Sequence, residues 1–256
     1  SNFQYNSACF VGRFEELSEI HNALGENQVV FISGIGGIGK TELAKRYADE
    51  YKDYYDTVSF AYYDQCLEQT ISQELVFHKF GLEEGECEKD VFLRLMSILK
   101  ETASDRDLII IDNFDVESDD RLEELLECPC KFLFTTRTDF RDYNFRQINV
   151  GRISNSGELV KLFSYYNDCN YGMEERKFID KLIDFVDGHT MTVELISKYL
   201  RDAKFMPSEL YGLFLQKEGV TNTDDTIVRQ RKDRKMNVES VNRHLLILFD
   251  ISNFDS

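Results

Sequence analysis

The residues of this chain best suited to chemistry are Gly34, Gly36, Gly37, Gly39, Lys40 and Thr41, spaced as G-x-x-x-x-G-K-T with isoleucines at the remaining loop positions. Glycines free the backbone to take positive φ and to turn successive N–H groups inward, which makes a concave nest for phosphate oxygens. Lys40 brings a point charge that reaches a β or γ phosphate, and the Thr41 hydroxyl suits a Mg²⁺ that keeps most of its waters. The binding set read from this stretch is Gly34, Gly36, Gly37, Ile38, Gly39, Lys40, Thr41 and Glu42. A second group is Asp112, which ends the apolar run Leu108-Ile109-Ile110-Ile111. A buried parallel strand delivers such a carboxylate at its C-terminal edge, where open α/β sheets bind ligands, so Asp112 is placed to hold Mg²⁺ or its water opposite Thr41. A third is Arg137, after Phe132-Leu133-Phe134-Thr135-Thr136. Its guanidinium can make forked hydrogen bonds to a terminal phosphate. Lys40, Asp112 and Arg137 are the candidate catalytic residues, and Thr41 and Asp112 the candidate Mg²⁺ ligands.

Positioning these groups takes strands that stop at the right edge and helices that start there. Val29 to Ile32 is a β-branched and aromatic run before the glycines, and Leu43, Ala44, Tyr47, Ala48 and Tyr51 follow at helical spacing. That strand, loop and helix order is the setting a phosphate loop requires. Further strands are predicted at Thr57–Tyr63, Leu108–Asp112, Lys131–Arg137 and Gln147–Val150. Helical patterns lie between them: Phe14 to Leu24, Leu67 to Lys79 and Val91 to Leu99, with an acidic link from Gly81 to Lys89. This rhythm predicts an α/β fold, a parallel sheet with helices on both faces. The acids Asp115, Glu117, Asp119, Asp120, Glu123 and Glu124 read mostly as a solvated helix face. From Gly151 onward only helical patterns occur, so a small all-helical subdomain is expected after the sheet. The expected divisions are 1–150 for a nucleotide-binding domain, 151–217 for the helical subdomain, 218–237 for a polar linker, and 238–256 for the start of a further subdomain.

Bulk properties exclude several classes. With 30 basic and 47 acidic residues the formal charge is −17, and a surface so acidic repels nucleic-acid phosphates. The one basic run, Arg229 to Lys235, lies in the polar linker and reads as a solvated stretch. No apolar run approaches the ~20 residues of a membrane span, and no basic-plus-apolar leader opens the sequence. Six cysteines without a C-x-x-C pair are expected to be reduced, structural thiols of a cytoplasmic protein. Ser1-Asn2 reads as an appended scar, and the helical pattern running into Ser256 predicts a piece of a longer chain.

Five motifs in order, Phe10-Val11-Gly12-Arg13, Gly34 to Thr41, Leu108 to Asp112, Thr135-Thr136-Arg137 and Gly188-His189-Thr190-Met191-Thr192-Val193-Glu194-Leu195, resemble the NB-ARC or AP-ATPase branch of the STAND P-loop NTPases. The resemblance covers about 240 residues and implies an ASCE-type sheet, a helical ARC subdomain and a winged-helix subdomain that would begin near Val238. It implies ATP or ADP with Mg²⁺ as cofactors, Val11 and Arg13 against adenine, Asp112 as the Walker B acid and Arg137 as a sensor of the terminal phosphate. Thr190 stands where the family usually places a proline against adenine. The implied activity is that of a switch. ADP holds a closed form, ATP exchange favours an open one that self-associates or binds partner proteins, and signalling or transcriptional output comes from segments outside this chain.

One departure bears on hydrolysis. Many relatives follow the Walker B acid with a second acid, the base for attacking water, whereas this chain has Asn113. Asparagine orients water but takes no proton at neutral pH, so slow hydrolysis or none is expected. Asp115 is the nearest substitute. Three alternatives stay open: an ATP-dependent kinase-like enzyme or motor, a non-hydrolysing ADP-binding module, and a guanine reader. The last rests on Thr136-Arg137-Thr138-Asp139, where arginine replaces the usual lysine.

Overall fold

The computed structural model describes residues 9–74, 87–138, 140, 145–203 and 205–217. They form two compact units: the first holds 13–34 and 40–150, the second 9–12, 35–39 and the residues from 151 on.

In the first unit five strands form one sheet: β1 (Val29–Ser33), β2 (Thr57–Tyr62), β3 (Asp107–Asp112), β4 (Lys131–Thr136) and β5 (Arg146–Asn149). Their order is β2-β3-β4-β1-β5 and every pairing is parallel. β1 to β4 are rich in β-branched and aromatic residues, and β1, β3 and β4 are buried along nearly their whole length, as a sheet covered on both sides requires. Side chains alternate between the faces. Val29, Phe31, Ile109, Ile111, Phe132 and Phe134 join one core with α3 (Leu67–Glu74), α4 (Glu88–Thr102) and α5 (Leu122–Leu126). On the other face α1 (Phe14–Glu26) and α2 (Lys40–Glu50) pack against β1, β4 and β5. Phe31 anchors the first core, stacked on Phe134 with ring centroids 4.7 Å apart and within 4.6 Å of the Phe140 ring.

Two details differ from the sequence reading. Helix α4 begins at Glu88, inside the stretch read as an acidic link. Glu88 and Asp90 in its first turn suit the positive end of the helix, and Asp90 accepts from Cys87 Sγ at 3.0 Å. Asp119 is not a solvated acid either: its Oδ2 accepts from Leu67 N–H at 2.8 Å, capping α3, and from Tyr63 OH at 2.9 Å. Of the helix predicted to reach Lys79, the part up to Glu74 is described. The linker and the subdomain start expected at 218–256 lie outside the described residues, as do residues 1–8, 75–86 and Asp139.

The second unit packs α6 (Ser156–Tyr166), α7 (Met173–Phe185), α8 (Thr190–Asp202) and α9 (Pro207–Lys217) around Phe163, Leu182, Ile183, Ile196 and Phe214, with Cys9 and Val11 against that core. The turn from α7 to α8 is built from Asp187 and Gly188, at φ 51° and 65°. Gly188 N–H donates to Ile183 O at 2.9 Å, closing α7 in the left-handed manner that favours glycine. A Cβ at Gly188 would lie 2.8 Å from Leu159 Cδ1 and sit at φ 65°, so a side chain there would be strained and would have to push Leu159 aside. His189 then caps α8.

Candidate phosphate and metal site

In the first unit the parallel register brings the ends of β3 and β4 side by side at the start of α2. The Thr41 hydroxyl donates to Asp112, 2.9 Å from Oδ1 and 3.0 Å from Oδ2. Asp112 is buried, and Thr135 Oγ1 donates to its Oδ1 at 2.6 Å. Thr135 also accepts the Asn113 N–H at 2.9 Å, so one strand-end threonine fixes both the acid and the residue after it. Sequence reasoning missed this role. The signal was a hydroxyl-bearing β-branched residue at the end of the strand next to the acid. A hydroxyl and a carboxylate within 3 Å of one another form a hard oxygen pair of the kind that holds Mg²⁺ with several of its waters retained. Among the described residues no group of three or more His, Cys, Asp or Glu is arranged to hold a metal without such help.

Lys40 is buried, and its Nζ donates to Gly34 O at 2.8 Å. Burial pulls its pKa below that of an ordinary lysine; Asp115 and Asp112 oppose the shift and Arg137 adds to it. An ammonium, a guanidinium and two carboxylates therefore share one electrostatic neighbourhood. Within it Asp115 Oδ1 accepts the Arg137 backbone N–H at 2.6 Å, and Oδ2 lies 3.1 Å from Arg137 Nε. Asn113, at φ 63°, occupies the left-handed region that asparagine tolerates better than most residues. Glu42 is exposed and 3.8 Å from Lys45. Arg13 is buried, in a left-handed conformation at φ 66°, with Nη1 2.8 Å from Glu16.

In the second unit the loop residues Gly36 and Gly37 meet the start of α8. Gly36 O lies 2.8 Å from His189 Nε2, and Gly37 O accepts from Thr190 Oγ1 at 2.8 Å. Gly37 and Gly39 have φ of 74° and 99°, the positive values that let a loop curl its amides inward. The part played by His189 was not legible from its neighbours in sequence. Val11 is half-buried against the helical core. Cys128 and Cys130 are buried free thiols, pushed by burial up to about 11 and about 12, and so stay protonated at neutral pH.

Residues 21–150, half of the chain, match the family described as AAA domain. The chain belongs to the AAA domain family. Among solved structures, a Walker-type ATPase of Pyrococcus abyssi is similar to this AAA domain chain with a TM-score of 0.51 and 14% identity, over 96% of this chain and 92% of that one. Hsp104 in its closed state, with ATPγS and FITC casein, gives a TM-score of 0.52 and 14% identity over 86% of this chain and 44% of its own. At such identities the likeness is one of fold alone: an α/β architecture with a parallel sheet. No curated protein matches the sequence. Among the described residues of the AAA domain chain no helix is long and apolar enough to cross a membrane.

Proposed function

We propose that this AAA domain chain is an ATP/ADP-binding switch of the STAND type, from the NB-ARC branch, with slow hydrolysis or none. The observation that carries the reading is the Thr41–Asp112 pair beside Lys40 at the C-terminal edge of the sheet. Lys40 would neutralise phosphate charge, Thr41 and Asp112 would hold Mg²⁺, and Arg137 would answer to the terminal phosphate. When bound, Mg²⁺ would supply charge neutralisation of the phosphates. A nucleotide moves a two-state equilibrium only by its differential affinity for the two states, and the γ-phosphate supplies that difference here. Val11, Arg13 and Thr190 are the adenine-side residues in this reading, 1–150 is the nucleotide-binding domain, and 151–217 is the ARC-like subdomain. Self-association, partner proteins and a signalling or transcriptional output are what such a switch would control, in a cytoplasmic protein.

Asn113 favours a second reading, a module that keeps ADP as a structural cofactor, because the residue after Asp112 cannot take a proton. Thermal unfolding of wild type and Lys40→Ala with ADP, ATP or GTP, each with and without Mg²⁺, tests both. A ligand at 100 times its Kd stabilises by about 2.7 kcal/mol, which raises Tm by roughly 5–10 °C at this size. Adenine nucleotides raising Tm in wild type and not in Lys40→Ala supports the switch. Unstimulated phosphate release faster than ~1 per second, the low end of ordinary enzymes, would sink it in favour of an ATP-driven enzyme.

A further inference from the structure

Two successive carbonyls of the phosphate loop are held by the first turn of α8, all within the second unit. Gly36 O faces His189 Nε2 at 2.8 Å; Gly37 O accepts from Thr190 Oγ1 at 2.8 Å and from Met191 N–H at 3.2 Å. A carbonyl only accepts, so Nε2 carries the ring hydrogen, and Nδ1 is left as the acceptor for the Thr192 hydroxyl at 2.8 Å and the Thr192 N–H at 3.4 Å. His189 thus caps α8 with one nitrogen and holds the loop with the other. It has no solvent exposure, which fits a fixed tautomer.

The consequence follows from peptide geometry. A trans peptide is planar, so its C=O and N–H point in opposite directions. The carbonyl of Gly36 shares its plane with the N–H of Gly37, and that of Gly37 with the N–H of Ile38. Tying both carbonyls to α8 turns both N–H groups away from that helix. Glycine peptides left to themselves sample both hands, so the ties narrow the directions these two donors can take. The approach is also close enough to dictate sequence: a Cβ on Gly37 would lie 2.8 Å from His189 Cε1 and 2.9 Å from Met191 Cβ.

We infer that His189 and Thr190 are positioning residues that preset the Gly37 and Ile38 amides as donors to the phosphates of a nucleotide. This rests on the nucleotide-binding reading above. Ordering is done in the fold, before binding, so ligand binding does not have to supply it.

Four variants separate this role from mere support of α8. Thr190→Val removes the hydroxyl at nearly constant shape, and Thr190→Ser restores it. His189→Asn keeps an acceptor to cap α8 but falls short of Gly36 O, whereas His189→Gln carries a nitrogen to about the place of Nε2. Calorimetric titration with Mg·ADP, and displacement of a fluorescent ADP by adenosine, are the readouts. Thr190→Val and His189→Asn should each weaken ADP by about tenfold and be rescued at least in part by Thr190→Ser and His189→Gln, and His189→Asn should leave adenosine within about twofold. Wild type binding ADP with Thr190→Val and His189→Asn equal to it overturns the inference. So does a parallel loss for adenosine in His189→Asn, which marks general damage. Wild type failing to bind ADP at all is a different failure: the nucleotide reading falls, and the inference with it.

Discussion

Asp115 holds Arg137 at two points, accepting its backbone N–H on Oδ1 at 2.6 Å and lying 3.1 Å from its Nε through Oδ2. The backbone bond fixes where the end of β4 sits; the side-chain pair fixes where the guanidinium points. These two jobs are separable. With 62% of its side chain exposed, the arginine is reachable from solvent, and an exposed ion pair is worth only about 0.2–1 kcal/mol. A phosphate with more charge and several acceptor oxygens can displace it.

Asp115→Asn keeps an acceptor for the Arg137 N–H and removes the charge. In the switch reading, binding of the terminal phosphate takes Arg137 from Asp115, so the variant should favour ATP over ADP by about 1.5- to 5-fold relative to wild type. Arg137→Ala should erase the preference. The ratio of the two dissociation constants is the measurement; a ratio unchanged by both substitutions means that Arg137 does not sense that phosphate.

Lys40 carries a second testable tension. Its pKa is depressed chiefly by burial, so the fold favours its neutral form. For a depressed group the stabilising contribution is complete above the unfolded value and is lost as pH falls through the folded one. At neutral pH the charge is therefore a cost of the site. Lys40→Met should raise the Tm of the protein without nucleotide at about pH 7, lose the nucleotide-induced rise, and show a smaller advantage over wild type at about pH 10. A variant less stable than wild type at neutral pH would mean that the Gly34 bond outweighs the buried charge.

His189 sets a pH dependence at the other end of the scale. Burial holds its pKa below 6.5 against the pull of the Gly36 carbonyl. The unfolded chain then binds the proton first as pH falls, so stability is present above 6.5 and declines below it towards the folded value. Protonation also puts a hydrogen on Nδ1, where Thr192 N–H already donates. Wild type should lose Tm between about pH 7.5 and about pH 5.5 more steeply than His189→Asn. His21, also depressed by burial, titrates in both proteins and cancels in the comparison.

Much of the fold could be read from the chain because local patterns carried it. β1, β3 and β4 hold apolar runs of the right length, α1, α2 and α4 follow amphipathic periods, and the glycines before Lys40 sit where strand turns to helix, whereas β5 is the mostly polar Arg-Gln-Ile-Asn. Strand order could not be read, since β1 lies between β4 and β5 through contacts roughly a hundred residues apart. The acids after Asp112 misled for a related reason. Composition makes Asp115 and Asp119 look like neighbours on a wet helix, while their partners, Arg137, Tyr63 and Leu67, come from three other segments. His189 stood in a recognised motif, but its hydrogen bond spans 153 residues. Side chains that act on distant backbone leave no periodic trace.

Glycine provides the last test, because two glycines of this chain ask opposite things of a methyl group. Gly25 lies in α1 with nothing within 4 Å of an added Cβ, so Gly25→Ala should stabilise by about 0.4–1 kcal/mol and raise Tm by about 1–4 °C. Gly37 has φ of 74° and would press its Cβ on His189 and Met191. The left-handed conformation alone costs an alanine about 1–2 kcal/mol, so Gly37→Ala should lower Tm by at least about 2–4 °C and weaken ADP binding. If the contact with His189 supplies part of that loss, Gly37→Ala with His189→Ala should be milder than the sum of the two single changes. Calorimetry of the four proteins of that cycle gives the coupling directly. Strict additivity would show that backbone strain at Gly37, and not the approach of α8, is what demands a glycine there.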